Sequence, residues 1–237
     1  MSPAFDNQAP TYDQWYATSL GELVDKVEQE ALFTLLPEVK GLRLLEVGCG
    51  TGKISLALMS MGARLVGLDA SVPMLARAQD KAQQKGLSGT WIKGLACPLP
   101  FGPEVFDGVL CILALDFTSD RETALQEMIR VLRPGGFLAI AMLNRYSLWT
   151  LKRVVKAWFR PSLWRQVSFI TPFKLGRLLA GRPELTDIRS RQAVYFPPWK
   201  NRRLVRYYPY LEKLGNRWHL STGAFLVITA RKRIIAP

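Results

Sequence analysis

Histidine is almost missing from these 237 residues, His219 being the only one. Cysteine is scarce as well: Cys49, Cys97 and Cys111 stand far apart, with no C-x-x-C spacing. Together these gaps exclude a His/Cys zinc centre and a disulfide framework, and they set a reducing, cytoplasmic home as the expectation. Long hydrophobic runs are lacking too. The longest apolar stretches, 108–117 and 136–143, fall well short of the ~20 residues that span a bilayer. The opening MSPAFDNQAPTYDQW has neither a basic head nor an apolar centre, so no targeting segment is expected there. Acidic residues thin out towards the end. Residues 143–237 hold 3 Asp+Glu against 20 Lys+Arg, whereas 1–142 hold 16 against 12, so the net +13 resides in the last part of the chain. Such a field draws anionic surfaces, phosphates or nucleic acid, although a solvated basic surface is the plain alternative. The length suits one domain with a full core.

What the chain does have is glycine in the right place. Arg43 to Val47 reads as a short buried strand and Lys53 to Ser60 as a helix, so Gly48-Cys49-Gly50-Thr51-Gly52 forms the turn between them. A second strand, Arg64 to Leu68, ends at Asp69. An acid there accepts hydrogen bonds from both hydroxyls of a ribose. The spacing G-x-G-x-G differs from the dinucleotide fingerprint G-x-G-x-x-G, which favours S-adenosylmethionine over NAD. Further along, strand and helix alternate: helix 72–85, strand 90–94, strand 107–115, helix 119–132, strand 136–143. That alternation predicts an α/β architecture with a parallel sheet, helices on both faces and a ligand rim at the carboxyl ends of the strands.

Five motifs follow one another: E-V-G-C-G-T-G at 46–52, G-L-D-A-S at 67–71, P-L-P-F at 98–101, F-D-G-V at 106–109 and R-V-L-R-P-G-G at 130–136. In that order they resemble class I S-adenosylmethionine-dependent methyltransferases, in particular the small-molecule branch with the quinone-biosynthesis C-methyltransferases. The resemblance covers residues 10–145. It implies a doubly wound, mostly parallel seven-stranded Rossmann-like sheet with an antiparallel last strand and an inserted substrate cap. One domain results: a lid helix in 1–40, a cofactor-binding core in 41–144, a basic cap in 145–210 and terminal strands in 211–237, near 215–220 and 224–231.

The same resemblance distributes roles. Gly48, Cys49, Gly50, Thr51 and Gly52 hold the methionine portion of the cofactor, Glu46 orders that loop or meets the amino group, and Asp69 grips the ribose. Ala70 and Met74 run along the adenine. Relatives commonly place an acid beside the adenine where this chain has Leu95, leaving the backbone around Leu95 and Ala96 to frame the ring. Leu113 to Phe117 pass beneath the methionine. Within that stretch Asp116 is a polar wall or, preferably, a helix cap. Tyr12, Trp15 and Tyr16, ahead of a helix capped by Thr18 or Ser19, are lid residues or core aromatics. No metal is expected. For an acceptor that must lose a proton, Tyr16 and His219 are the candidate bases; a sulfur or selenium acceptor needs neither.

Beyond Asn144 the character changes. Ser147 to Arg160 puts Leu148, Leu151, Val155 and Trp158 on one helical face, with Lys152, Arg153, Lys156 and Arg160 largely off it. A basic amphipathic helix of this kind lies on an anionic membrane or covers a substrate pocket. The acceptor expected is a small or lipid-like, anionic molecule. RNA or DNA methylation draws support from basic runs interleaved with aromatics, although no Asn/Asp-Pro-Pro-aromatic sequence follows the fourth strand. A non-catalytic binding protein on the same fold is the third reading.

Overall fold

The computed structural model of the chain describes residues 3–118, 120–159, 164, 167 and 169–234. Two short 3-10 segments, Pro3–Gln8 and Tyr12–Trp15, precede α1 (Ser19–Leu35), whose first turn is capped by the Thr18 hydroxyl accepting from the Gly21 N–H. Then come β1 (Arg43–Val47), α2 (Lys53–Ser60), β2 (Arg64–Asp69), α3 (Val72–Gln84), β3 (Thr90–Lys93) and β4 (Phe106–Ile112). A 3-10 turn at Leu115–Phe117 leads to α4 (Arg121–Val131) and β5 (Leu132–Leu143). The basic part contributes α5 (Leu148–Phe159), α6 (Pro172–Ala180), β6 (Leu185–Ala193), α7 (Arg202–Val205) and α8 (Tyr208–Arg217), and β7 (Phe225–Lys232) follows. Arg160 lies outside the described residues.

Seven strands form one sheet in the order β3-β2-β1-β4-β5-β7-β6. The first five run parallel, and β7 inserts antiparallel between β5 and β6. Successive residues of each central strand feed opposite cores, as the two-residue period requires. Leu45 and Val109 pack towards Leu125 and Met128 of α4. Leu44 and Leu110 pack towards Leu32 of α1 and Leu56 of α2.

Two expectations change. The strand foreseen near 215–220 is the end of α8 and the turn after it, and the sheet's last edge is instead β6, drawn from the stretch assigned to the cap. Its Thr186, Asp187, Arg189 and Arg191 are partly or fully exposed, as suits an edge strand, so no apolar alternation betrays it. Second, Arg133 to Gly136 do not separate α4 from a later strand. They bulge within β5, where pairing jumps from Phe106↔Leu132 to Gly108↔Phe137 around Gly135 at φ +76°.

Candidate active site

The turn after β1 is held by backbone geometry that glycine permits. Gly48, Gly50 and Gly52 have φ of +73°, +52° and +74°. The Gly48 and Cys49 N–H groups both donate to the Leu68 carbonyl, at 2.7 and 3.1 Å, fastening the turn to the end of β2. Asp69 completes the junction: its Oδ2 accepts from the Gly50 N–H at 2.8 Å and its Oδ1 from the Ser71 N–H at 2.9 Å. A Cβ on Gly52 would lie 2.8 Å from that of Ala78, so α3 packs directly against the turn, whereas a Cβ on Gly50 would meet nothing within 4 Å. Beneath it, buried Glu46 accepts from the Ser55 hydroxyl of α2. Burial pushes its carboxyl up to about 8, and the Ser55 bond pulls it back only in part.

The N-terminal segment folds over this turn. Asp13 accepts from the Thr51 hydroxyl at 2.8 Å and from the Lys81 ammonium at 3.0 Å. Trp15 meets Trp149 of α5 edge to face, 6.1 Å between ring centres. The Tyr12 and Tyr16 rings meet edge to face, 6.3 Å between centres, and burial raises both phenols above the ordinary range.

Between lid, turn and α5 lies a cavity of about 560 Å³. Its lining includes Gly48, Gly50, Asp69 and Met74 from the turn and the elements after it, and Trp149, Arg153, Lys156 and Trp164 from the basic part of the chain. A smaller cavity of about 80 Å³ adjoins it behind Tyr12 and Tyr16 and reaches Glu46, Cys49 and Thr51. Leu113, at a left-handed φ of +59°, borders both. A branched residue in that conformation is strained, which is typical where a backbone is shaped for a ligand.

The comparisons agree with this architecture. Residues 45–140 match the family described as a methyltransferase domain. A malonyl-[acyl-carrier protein] O-methyltransferase of Salmonella typhimurium is 31% identical over 157 residues, 66% of this chain and 59% of that protein. A demethylmenaquinone methyltransferase of Thermus thermophilus is 40% identical over 100 residues, 41% of this chain and 46% of that protein. The chain spans 36 to 44% of the length of other curated relatives it matches. In fold it resembles a Thermotoga maritima S-adenosylmethionine-dependent methyltransferase at TM-score 0.74 and 23% identity, covering 98% of this chain and all of that one.

Over residues 45–140 the chain is similar to the methyltransferase domain, and its sheet has the fold of an S-adenosylmethionine-dependent methyltransferase.

The residues present fit S-adenosylmethionine, the cofactor this fold implies. Asp69 lines the cavity, and a carboxylate that accepts two backbone N–H groups keeps lone pairs for two hydroxyls. Open space stands over Gly50, and Met74 offers an apolar wall. Of the expected site residues, Tyr12, Tyr16, Gly48, Gly50, Asp69, Met74 and Leu113 line the larger cavity, and Glu46, Cys49 and Thr51 the smaller. Gly52 supports from behind. Ala70, Leu95 and Ala96 are not among the residues lining either cavity: Ala70 follows Asp69 at the end of β2, Ala96 is buried in the core, and Leu95, following Gly94 off the end of β3, is 47% exposed. His219 is exposed beyond α8 and borders neither cavity, so it is no base for this site. Asp116 is a buried strut and no helix cap. Its Oδ2 accepts from the Leu143 N–H at 2.9 Å and its Oδ1 pairs with Arg121 at 3.8 Å, while Asp120 caps α4.

Sequence reasoning missed two charged groups of the larger cavity. Glu28 of α1 and Arg153 of α5 both line the cavity. Burial lifts the Glu28 carboxyl to about 7, with Arg153 and Lys53 pulling it back. The Arg153 guanidinium sits over the Trp164 ring at 4.6 Å, and its Nη1 is buried without a hydrogen-bond partner among the described residues. A signal for Glu28 existed: it shares the apolar stripe with Val24, Ala31 and Leu32, where an acid has no packing reason to be.

Proposed function

We propose that this protein methylates a small, lipid-like acceptor bearing a negative charge, with S-adenosylmethionine as donor. The observation that carries the reading is one cavity lined both by the Gly50–Asp69 junction and by Arg153, whose Nη1 has no hydrogen-bond partner among the described residues. A buried guanidinium with an unsatisfied N–H costs stability unless an anion meets it, and its fork matches a carboxylate or phosphate. Lys152, Lys156 and Lys200 line the same cavity and add to the positive potential. Aromatic and aliphatic walls from Phe5, Leu20, Val24, Phe117 and Trp149 suit an apolar body. The relatives' names, for an acyl-carrier-bound malonyl group and for demethylmenaquinone, are in line with such a class.

Bound S-adenosylmethionine supplies an already activated methyl group, so the chain's task is alignment, exclusion of water and removal of a proton. Asp69 would hold the ribose, the 48–52 turn the methionine end and Met74 the adenine side. Glu28, with its carboxyl poised near neutrality inside the cavity, takes a proton from the acceptor. Tyr16, held protonated by burial, does not act as the base.

Calorimetry with S-adenosylhomocysteine tests the donor half. The wild type binds and Asp69→Ala loses ~100-fold or more, since two charge-assisted hydrogen bonds are removed. Equal binding by the variant, or none by the wild type, overturns the reading. Methylation assays with paired acceptors, one carrying a carboxylate and one its amide, test the acceptor half.

A further inference from the structure

α5 is turned the opposite way to a helix packed by its apolar stripe. Trp149, Thr150 and Ala157 face inward, the Trp149 indole N–H donating to the Phe196 carbonyl at 2.8 Å. The stripe itself faces solvent. Leu148, Leu151, Val155, Trp158 and Phe159 are 55, 59, 41, 74 and 81% exposed. At 3.6 residues per turn these five fall within an arc of about 100°. Lys152 and Lys156 come next around the helix, on the edge that lines the cavity. Trp199, 56% exposed, extends the patch from the adjoining segment, where the Pro198 carbonyl accepts from Lys152 Nζ at 2.7 Å. Isolated surface leucines need no explanation, but a contiguous apolar face with two of its aromatics almost fully exposed does.

Charge complementarity selects what covers it. Residues 143–237 carry 20 Lys+Arg and 3 Asp+Glu, so the partner is anionic. A nucleic acid would be met by cations at the centre of the face. Here the centre is apolar and indole-bearing, and the lysines form the rim, which is the arrangement that enters the headgroup region of an anionic bilayer. Among the described residues no helix is long and apolar enough to cross a membrane.

We propose that α5 docks this protein on an anionic lipid surface, with Leu151, Trp158 and Phe159 entering the headgroup–acyl boundary and Lys156 at its edge. Docked in this way, the Lys152–Lys156 edge of the cavity meets the bilayer, and a lipid-like acceptor passes in without crossing water. That last step rests on the methyl-transfer reading, and the docking does not.

The test is co-sedimentation of the full chain with vesicles of equal parts phosphatidylglycerol and phosphatidylcholine, with phosphatidylcholine alone, and binding to a single-stranded RNA. Binding to the mixed vesicles should exceed that to phosphatidylcholine ~10-fold or more. Combined Leu151→Ser, Trp158→Ser and Phe159→Ser should weaken it ~10-fold or more, with melting temperature and S-adenosylhomocysteine affinity unchanged. Trp158→Ser alone repeats the test with the least disturbance to folding. Lys156→Gln should cost ~5-fold. Undiminished vesicle binding by the triple variant overturns the proposal, as does salt-steep RNA binding without vesicle binding. S-adenosylhomocysteine affinity reports on the methyl-transfer reading separately.

Discussion

Asp13 and Thr51 join the two ends of the cofactor site: the Asp13 carboxylate accepts from the Thr51 hydroxyl at 2.8 Å across 38 residues of sequence, and its other oxygen holds Lys81 at 3.0 Å. The lid over the glycine turn is therefore latched to the turn itself. Both charged partners are about a third exposed, so the latch contributes modestly, ~1 kcal/mol. Asp13→Ala should weaken S-adenosylhomocysteine binding ~5-fold and speed its dissociation in stopped-flow, with the melting temperature little changed. Unchanged dissociation would mean that the lid is held by its aromatics alone.

Gly50 and Gly52 separate affinity from stability. At Gly52 a side chain meets both a left-handed φ and the Ala78 Cβ at 2.8 Å, so Gly52→Ala should cost ~2–4 kcal/mol in denaturant unfolding. Gly50→Ala carries only the backbone penalty of ~1 kcal/mol, but its methyl enters open space at a residue that lines the cavity. It should lose ~10-fold or more in cofactor affinity. The opposite ranking would refute the placement of the cofactor over Gly50.

Much of this region was legible because parallel, doubly covered strands read as continuous apolar runs, and because the glycine turn and Asp69 are neighbours through one short crossover. The rest was hidden for identifiable reasons. β6 is an edge strand built from Thr186, Asp187, Arg189 and Arg191, so its pairing with β7 is specified by the partner and not by its own pattern. Periodicity placed Leu148, Leu151, Val155 and Trp158 on one face of α5 but carries no information on whether that face turns inward. Arg153 and Glu28 come together from α5 and α1, a juxtaposition that only tertiary packing makes. Asp116 resembled a cap because a helix follows it, yet the helix starts one turn later at Asp120.

Buried acids set the pH dependence of stability. Glu46 titrates at about 8 and Asp116 at about 7 in the folded chain, both above their ordinary values because burial disfavours charge. The folded state thus binds protons more tightly than the unfolded one. The stability they contribute is complete below the unfolded values near 4 and is lost as pH rises through 7 and 8, on the order of a few kcal/mol for Glu46. Calorimetric melting temperatures should fall from pH 5 to pH 8.5. Glu46→Gln, which cannot ionise, should flatten the upper part of that fall.

Glu28 predicts a different pH signature, in rate. With its carboxyl at about 7, set by burial against the pull of Arg153 on α5 and Lys53 on α2 and the push of Asp25 on α1, it is a competent base only when deprotonated. For an acceptor that loses a proton, kcat/KM should rise with pH through about 7 and level off above. Glu28→Gln should remove that limb and lower kcat ~100-fold, the usual worth of a positioned base. Asp116 titrates in the same range, so Asp116→Asn is the control: it should leave the limb in place.

Arg153 decides whether the acceptor is anionic. Its guanidinium stacks on Trp164 at 4.6 Å and leaves Nη1 unpaired in the cavity wall, so a carboxylate or phosphate arriving there gains a fork-shaped partner already held in position. Removing it should act on acceptor binding and not on the donor, because the residues proposed to hold the donor are the 48–52 turn and Asp69, which are held by their own hydrogen bonds and not by Arg153. Arg153→Met, which keeps an apolar stem against Trp149, should raise KM for a charged acceptor ~30–100-fold. S-adenosylhomocysteine affinity should stay within a factor of two or so of wild type. Arg153→Lys retains charge without the planar fork and should recover only part of the loss. The neutral amide analogue of the same acceptor should be indifferent to all three side chains. If instead Arg153→Met lowers charged and neutral acceptors alike, the guanidinium serves as packing between Trp149 and Trp164, and the negative charge has no place in the description of the substrate.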